Sequence, residues 1–228
     1  MIIIKKDVAT YSVITYIGGR NKQDNVSTNK KETKMNKIKI TLTALLFAVL
    51  SLSATTWNFD KAHTTIGFNV SHMVITSVDG KFKDFDGTVT TDGDNWESAK
   101  INFTAKINSI STDNENRDNH LKSDDFFAAE KYPNLTFVGK SMKKVGDNKF
   151  ELTGDLTMRG ITKEVTLNVK HNGTITDPWG NVRAGFTIDG TINRFDYGLK
   201  WDKTLDTGGL VVGNEVEFNI NVELLEQK

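Results

Sequence analysis

Four histidines, His63, His72, His120 and His171, are the side chains here most able to move a proton or bind a metal. A metal site needs such groups to converge, as two histidines on successive turns of one helix do. No His-x-x-x-His spacing occurs. The nearest cluster is His120 with Asp118, Asp124 and Asp125, and a solvated helix face accounts for it. The chain has no cysteine, which removes disulfides, thiolate metal sites, thiol nucleophiles and a lipidated cysteine anchor. There is no Gly-x-Ser-x-Gly elbow, phosphate loop or dinucleotide fingerprint. Carboxylates are abundant but lack the pairing of a glycosidase. The residues imply no metal and no cofactor, and they leave catalysis unsupported.

Charge narrows the partners. The 228 residues balance 29 basic against 29 acidic side chains, but unevenly. Nine of the basic and three of the acidic residues precede residue 54. The remainder holds 20 basic and 26 acidic, a net charge of −6. An acidic domain does not attract a phosphate backbone, so nucleic acid is not an expected partner. It also adheres poorly to anionic membranes.

The N-terminal region is read as processing rather than fold. Lys34 to Lys39 is basic, Ile40 to Leu50 is apolar, and Ser51-Leu52-Ser53-Ala54 is small. This order is that of a secretory signal peptide cut after Ser53. The run is short for a membrane span, which needs about 20 apolar residues, so no permanent anchor is expected. Such a leader normally follows its initiator closely. We therefore expect Met35 to be the true start and 1–34 to be a mis-assigned or extended N-terminus. The signal peptide is 35–53, and 54–228 is a single domain exported to the periplasm.

From Trp57 onward the pattern has period two. Ile66, Phe68 and Val70 alternate with polar or small residues, as do Ile101, Phe103, Ala105 and Ile107. Phe150, Leu152, Gly154, Leu156 and Met158 do the same, then Val165, Leu167 and Val169. Ala184, Phe186 and Ile188 follow, and finally Val216, Phe218, Ile220, Val222 and Leu224. Each run gives a strand one apolar and one polar face. Turn signals such as Asp79-Gly80, Arg159-Gly160 and Asn172-Gly173 separate them. The short spacing forces antiparallel neighbours. The expectation is an all-β chain of eight or nine strands, closed into an antiparallel barrel that hides its edges.

One segment interrupts the alternation. Asp113 to Phe127 is too polar for a strand, and Asp113 or Asn114 can cap a short helix running to about Lys122. This insertion delivers Phe126-Phe127 to one barrel end, where the pair can plug or gate it. A barrel of this size is filled by side chains or holds one ligand. The small inward residues Gly154, Ala105 and Ala184 favour a ligand.

Read in order, the motifs resemble the YceI-like, polyisoprenoid-binding periplasmic proteins. The resemblance runs through Trp57-Asn-Phe-Asp60, His63 to His72, and Gly80 to Gly87. It continues through Ser109 to Thr112, Arg117-Asp-Asn-His-Leu121, Asp125-Phe-Phe127 and Tyr132-Pro133. Gly154 to Thr162, Arg183-Ala-Gly-Phe186, Arg194 to Gly198 and Val212 to Val216 complete it. It implies an extended eight-stranded lipocalin-like barrel with a short helical insertion. It also implies an apolar tunnel holding a polyisoprenoid, an isoprenoid quinone or another long-chain lipid.

On that reading Phe68, Val70, Phe103, Phe126, Phe127, Phe137, Leu156, Phe186 and Phe218 are expected to line the tunnel. Arg117, Asp118 and His120 are the candidates for orienting a polar head at one mouth, with Arg159 and Arg194 behind them. Arg117 and Asp118 can equally pin the helix to the rim. Two alternatives stand beside the carrier. One is an enzyme acting on a lipid through His63, His72 or His120. The other is a packed barrel that binds a protein through loops such as Asp206–Gly213. A homodimer through an exposed strand is compatible with the sequence, which does not decide it.

Overall fold

The computed structural model describes residues 54–204, 206 and 210–228. The leader and the 1–34 segment lie outside the described residues. Eleven strands, all antiparallel to their neighbours, are found among the described residues. They are β1 (Ala54–Phe59), β2 (Thr65–His72), β3 (Thr76–Phe82), β4 (Phe85–Asp92), β5 (Asn95–Lys106) and β6 (Ile110–Ser111). After the helix α1 (Glu115–Lys122) come β7 (Asn134–Gly146), β8 (Lys149–Met158), β9 (Ile161–Thr176), β10 (Val182–Asn193) and β11 (Val212–Glu226).

Eight of these strands close a ring in the order β1-β4-β5-β7-β8-β9-β10-β11, with β11 returning to β1. The ring closes where Trp57, Asn58 and Phe59 meet Glu226, Leu225 and Leu224. Closure leaves no free edge on those strands. The long β11 has two partners on one side. Its last residues pair with β1, while Val212 to Asn221 pair with β2. The β2–β3 hairpin therefore continues the wall toward the helical end, where β3 meets the short β6.

The alternation of the sequence explains the wall. On β8, Phe150, Leu152, Gly154, Leu156 and Met158 are buried, and the residues between them are more exposed. The β8–β9 turn is Arg159-Gly160, with φ of 50° and 73°. Both residues sit in the left-handed region, which a two-residue hairpin of this hand requires and glycine adopts freely. Asn114 caps α1, its side chain accepting from the Arg117 backbone N–H at 3.0 Å. No residue of α1 itself is fully buried; its one apolar side chain, Leu121, packs half-buried against the core.

Besides the three-residue closure of β1 on β11, a second joint in the ring is short. β5 and β7 ladder only where Asn102–Lys106 meets Asn134–Val138. Beyond it Gly139 packs closely against Ile101. Further along, the Lys144 backbone N–H donates to the Glu97 carboxylate at 3.2 Å.

The small inward residues do not leave the space expected of them. A Cβ on Gly154 would lie 2.3 Å from Cζ of Phe137, so the Phe137 ring already fills that position. Ala105 and Ala184 are fully buried, and neither lines a cavity. The room for a ligand lies elsewhere, along the barrel axis.

Candidate ligand-binding cavity

Two cavities follow one another inside the barrel. The main cavity, about 120 Å³, is bounded by inward side chains of the strands and contains no titratable group in its lining. The outer cavity, about 70 Å³, lies toward the helical end. Phe68, Phe82, Leu135 and Phe218 belong to both linings and form the constriction between them. Apolar cavities of this order stay dry, because a water inside would lack partners.

The structure places all nine apolar candidates on these walls. Phe103, Phe137, Leu156 and Phe186 line the main cavity. Val70, Phe126 and Phe127 line the outer one, and Phe68 and Phe218 face both. Period two brought them inward, since residues two apart on a strand share a face. Phe126 and Phe127 arrive differently. The turn after α1 is fastened by backbone hydrogen bonds from Phe126 to Ser123 and from Phe127 to Leu121. Phe127 then meets Phe82 edge-on at 6.2 Å, and Phe82 meets Phe68 at 5.9 Å. The pair thus continues the aromatic constriction.

The polar candidates are placed otherwise. Arg117, Asp118 and His120 line neither cavity. Arg117 donates from Nε to the Thr112 hydroxyl at 2.7 Å and from Nη2 to the Thr112 carbonyl at 2.8 Å. Asp118 accepts from the Thr112 backbone N–H at 2.7 Å and from its hydroxyl at 2.6 Å. Both side chains fasten α1 to one residue at the end of β6. His120 sits against Asp125 at 2.9 Å and edge-on to Phe126 and Trp201, over the outside of the helical end. Asp118 and Asp124 do not join it, and Asp124 pairs with Lys131 instead.

Several lining residues were not singled out in the sequence, Phe82 and Trp96 among them. Phe82 ends β3, whose other inward positions are Val78 and the side-chain-free Gly80, so no apolar run announced it. Trp96 sits directly after a turn, at the far end of the main cavity. Arg194, which the sequence places behind Arg117 as a candidate, lines the outer cavity and is only 4% exposed.

Two titratable groups bear on the catalytic alternative. His171 stacks on Phe186 at 4.9 Å and contacts Trp96, and burial holds its pKa below the ordinary value. It lines neither cavity, and its Nε2 is 3.0 Å from the Thr174 hydroxyl. Asp60, His63 and Glu223 bring potential metal-ligand atoms within 4.8 Å of one another. Arg183 is already among them, its Nη1 at 2.6 Å from both Asp60 and Glu223. The positive charge a cation would supply there comes from Arg183.

The YceI-like domain model matches residues 57–224. The chain belongs to the YceI-like family. Protein YceI of Salmonella newport is 41% identical over 197 residues, spanning 86% of this chain and 100% of that protein. Among solved structures, the YCEI protein of Campylobacter jejuni is 37% identical, with a TM-score of 0.61 over 74% of this chain and 96% of that one. A polyisoprenoid binding domain from Saccharophagus degradans shares the fold with a TM-score of 0.54 and 17% identity, over 74% and 97% of the two chains. The YceI-like barrel here is therefore the eight-stranded antiparallel one, with a single short helix among the described residues.

Proposed function

We propose that this YceI-like protein is an exported carrier that encloses one long apolar molecule, a polyisoprenoid, isoprenoid quinone or related lipid, along its barrel axis. The observation that carries this reading is the pair of apolar cavities in line, separated only by four side chains. Each methylene moved from water into such a space contributes about 0.8 kcal/mol. A tail of many carbons then binds with few polar contacts, less the cost of ordering it. The polyisoprenoid-binding domain of the same fold supports the ligand class.

A lipid enzyme would need a base within reach of the reacting atoms. The main cavity offers none, which favours binding over catalysis. A packed interaction module would have a filled interior, and the cavities favour the carrier over that alternative too.

Native mass spectrometry of the purified protein, followed by organic extraction, tests the proposal. A released isoprenoid or long acyl chain is the expected result. A protein that stays empty after incubation with isoprenoid quinones and fatty acids would overturn it. Export is proposed from the basic, apolar and small-residue order of 34–54. Cell fractionation with N-terminal sequencing checks it, with Ala54 as the expected first residue in the periplasmic fraction.

A further inference from the structure

Three large apolar side chains in a row stand in solvent at the turn between β2 and β3. Met73, Val74 and Ile75 are 39%, 72% and 85% exposed. Single apolar residues on a surface are ordinary, but a contiguous exposed group marks a place that something else covers. The backbone is unfavourable as well. φ is 52° at Met73 and 64° at Val74, a left-handed region that turns normally fill with glycine, asparagine or aspartate. A β-branched valine there is strained. Strain kept at a solvent-facing turn points to a use other than folding.

The position and the charge of this tip say what covers it. Its hairpin is part of the wall of the outer cavity. Phe68 and Val70 of β2 line that cavity, as does Val212, which pairs with His72. The Met73 backbone N–H donates to the Val211 carbonyl at 2.9 Å. The tip therefore stands just beyond the outer cavity, on the same wall. From Val70 to Val78 the hairpin holds no Lys, Arg, Asp or Glu, within a domain of net charge −6. The adjoining segment Lys200–Lys203, tied in by the Val211 N–H to the Lys203 carbonyl, carries two lysines and one aspartate. A stable protein interface takes about 800 Å² from each partner, and three side chains at a tip offer only a small part of that. A bilayer takes up a small apolar projection without needing a matching surface.

We propose that the Met73-Val74-Ile75 tip dips into a lipid bilayer and holds the outer cavity against it, so that the long apolar guest passes between membrane and barrel without crossing water. The contact is reversible, because three side chains bury too little to anchor the protein. The passage of a guest rests on the carrier reading; the docking itself does not.

The chain has no cysteine, so Thr76→Cys carries a single environment-sensitive dye beside the tip. Titrated with phosphatidylcholine vesicles, the dye should shift to the blue. Val74→Asn with Ile75→Ser makes the tip polar and gives the turn a residue suited to its backbone, so the melting temperature should match or exceed that of the wild type. Vesicle affinity in that background should fall about ten-fold or more. Trp179→Ser, at the opposite end of the barrel, should leave it unchanged. A dye that does not respond to vesicles, or responds equally after the tip is made polar, would overturn the proposal. Parinaric acid, a fluorescent long-chain polyene, separates this outcome from failure of the carrier reading. Delivered from vesicles, it should enter the wild type about ten-fold faster than the polar-tip variant; delivered from dilute aqueous solution, it should enter both at the same rate. Equal rates from vesicles would overturn the proposal and leave the carrier intact. Docking without uptake by either route would keep the membrane contact and remove the carrier.

Discussion

Arg183 joins Asp60, Asp177 and Glu223, three side chains far apart in sequence, on the outside of the barrel near its closure. Burial pushes the Asp60 carboxyl up. Hydrogen bonds from His63, Arg183 and the Ala62 N–H outweigh this and hold it at about 2, below its ordinary 3.8. The Arg183 guanidinium holds Asp177 lower still. Depressed carboxylates contribute stability that is present above their unfolded pKa and lost as pH falls through the folded one. The stability difference between wild type and Arg183→Gln should thus be largest near neutral pH and shrink as pH falls from 3.8 through about 2. Urea denaturation across that range checks it, and a constant difference would assign the loss to packing instead. His63 runs the opposite way. The Asp60 hydrogen bond raises its pKa above 6.5, so its contribution is complete below 6.5 and fades as pH rises through the raised value.

At the same scale, Arg117→Ala should lower stability by about 1–2 kcal/mol through its two bonds to Thr112. Ligand affinity should be unchanged, which thermal melts and titrations together would show. The inward apolar residues could be read from sequence because alternation alone dictates their side of the strand. The partners of Arg117, Asp118 and Arg194 could not. A long polar side chain reaches whatever acceptor the fold brings near. For Arg117 that is Thr112, and for Arg194 it is a set of carbonyls up to 19 residues away.

Among the elements, α1 and the turn behind it are the part most open to kinetic tests. The helix was legible from the Asn114 cap and its polar run, and it spans Glu115–Lys122. Its position over the outer cavity was legible only through Phe126-Phe127. Phe127→Ala, which removes the half-buried member of the pair, should speed ligand release more than it slows uptake, as stopped-flow fluorescence would record. Identical release rates would take the turn out of the exit route. On β8, Gly154→Ala should destabilise the barrel by about 1–3 kcal/mol, because the new methyl group collides with the Phe137 ring and the Val138 carbonyl. The glycine had suggested room for a ligand. Sequence shows that a position is small, but not which neighbour has grown into it.

At the level of the whole molecule, the antiparallel barrel followed from alternation and close-spaced turns. So did the eight strands of the ring, but not the three that extend it, β2, β3 and β6. The chain breaks between β1 and β2 around Asp60–Thr64 and between β3 and β4 at Lys83–Asp84. Each break lets one chain segment serve the ring at one end and the helical end at the other. That division puts the main cavity within the closed ring and the outer cavity beneath the added hairpin.

The short ladder between β5 and β7 has a mechanical consequence. A hoop stiff all round has one girth and one gauge of content. This hoop has a joint fastened over only part of its length, Asn102–Lys106 against Asn134–Val138. Strain applied from inside will part that joint before it stretches the fully laddered β8–β9 pairing, where ten consecutive residues are matched. Deuterium uptake along 95–101 and 139–146 should therefore track the thickness of the enclosed molecule, slender guests leaving the joint quiet and bulky ones loosening it.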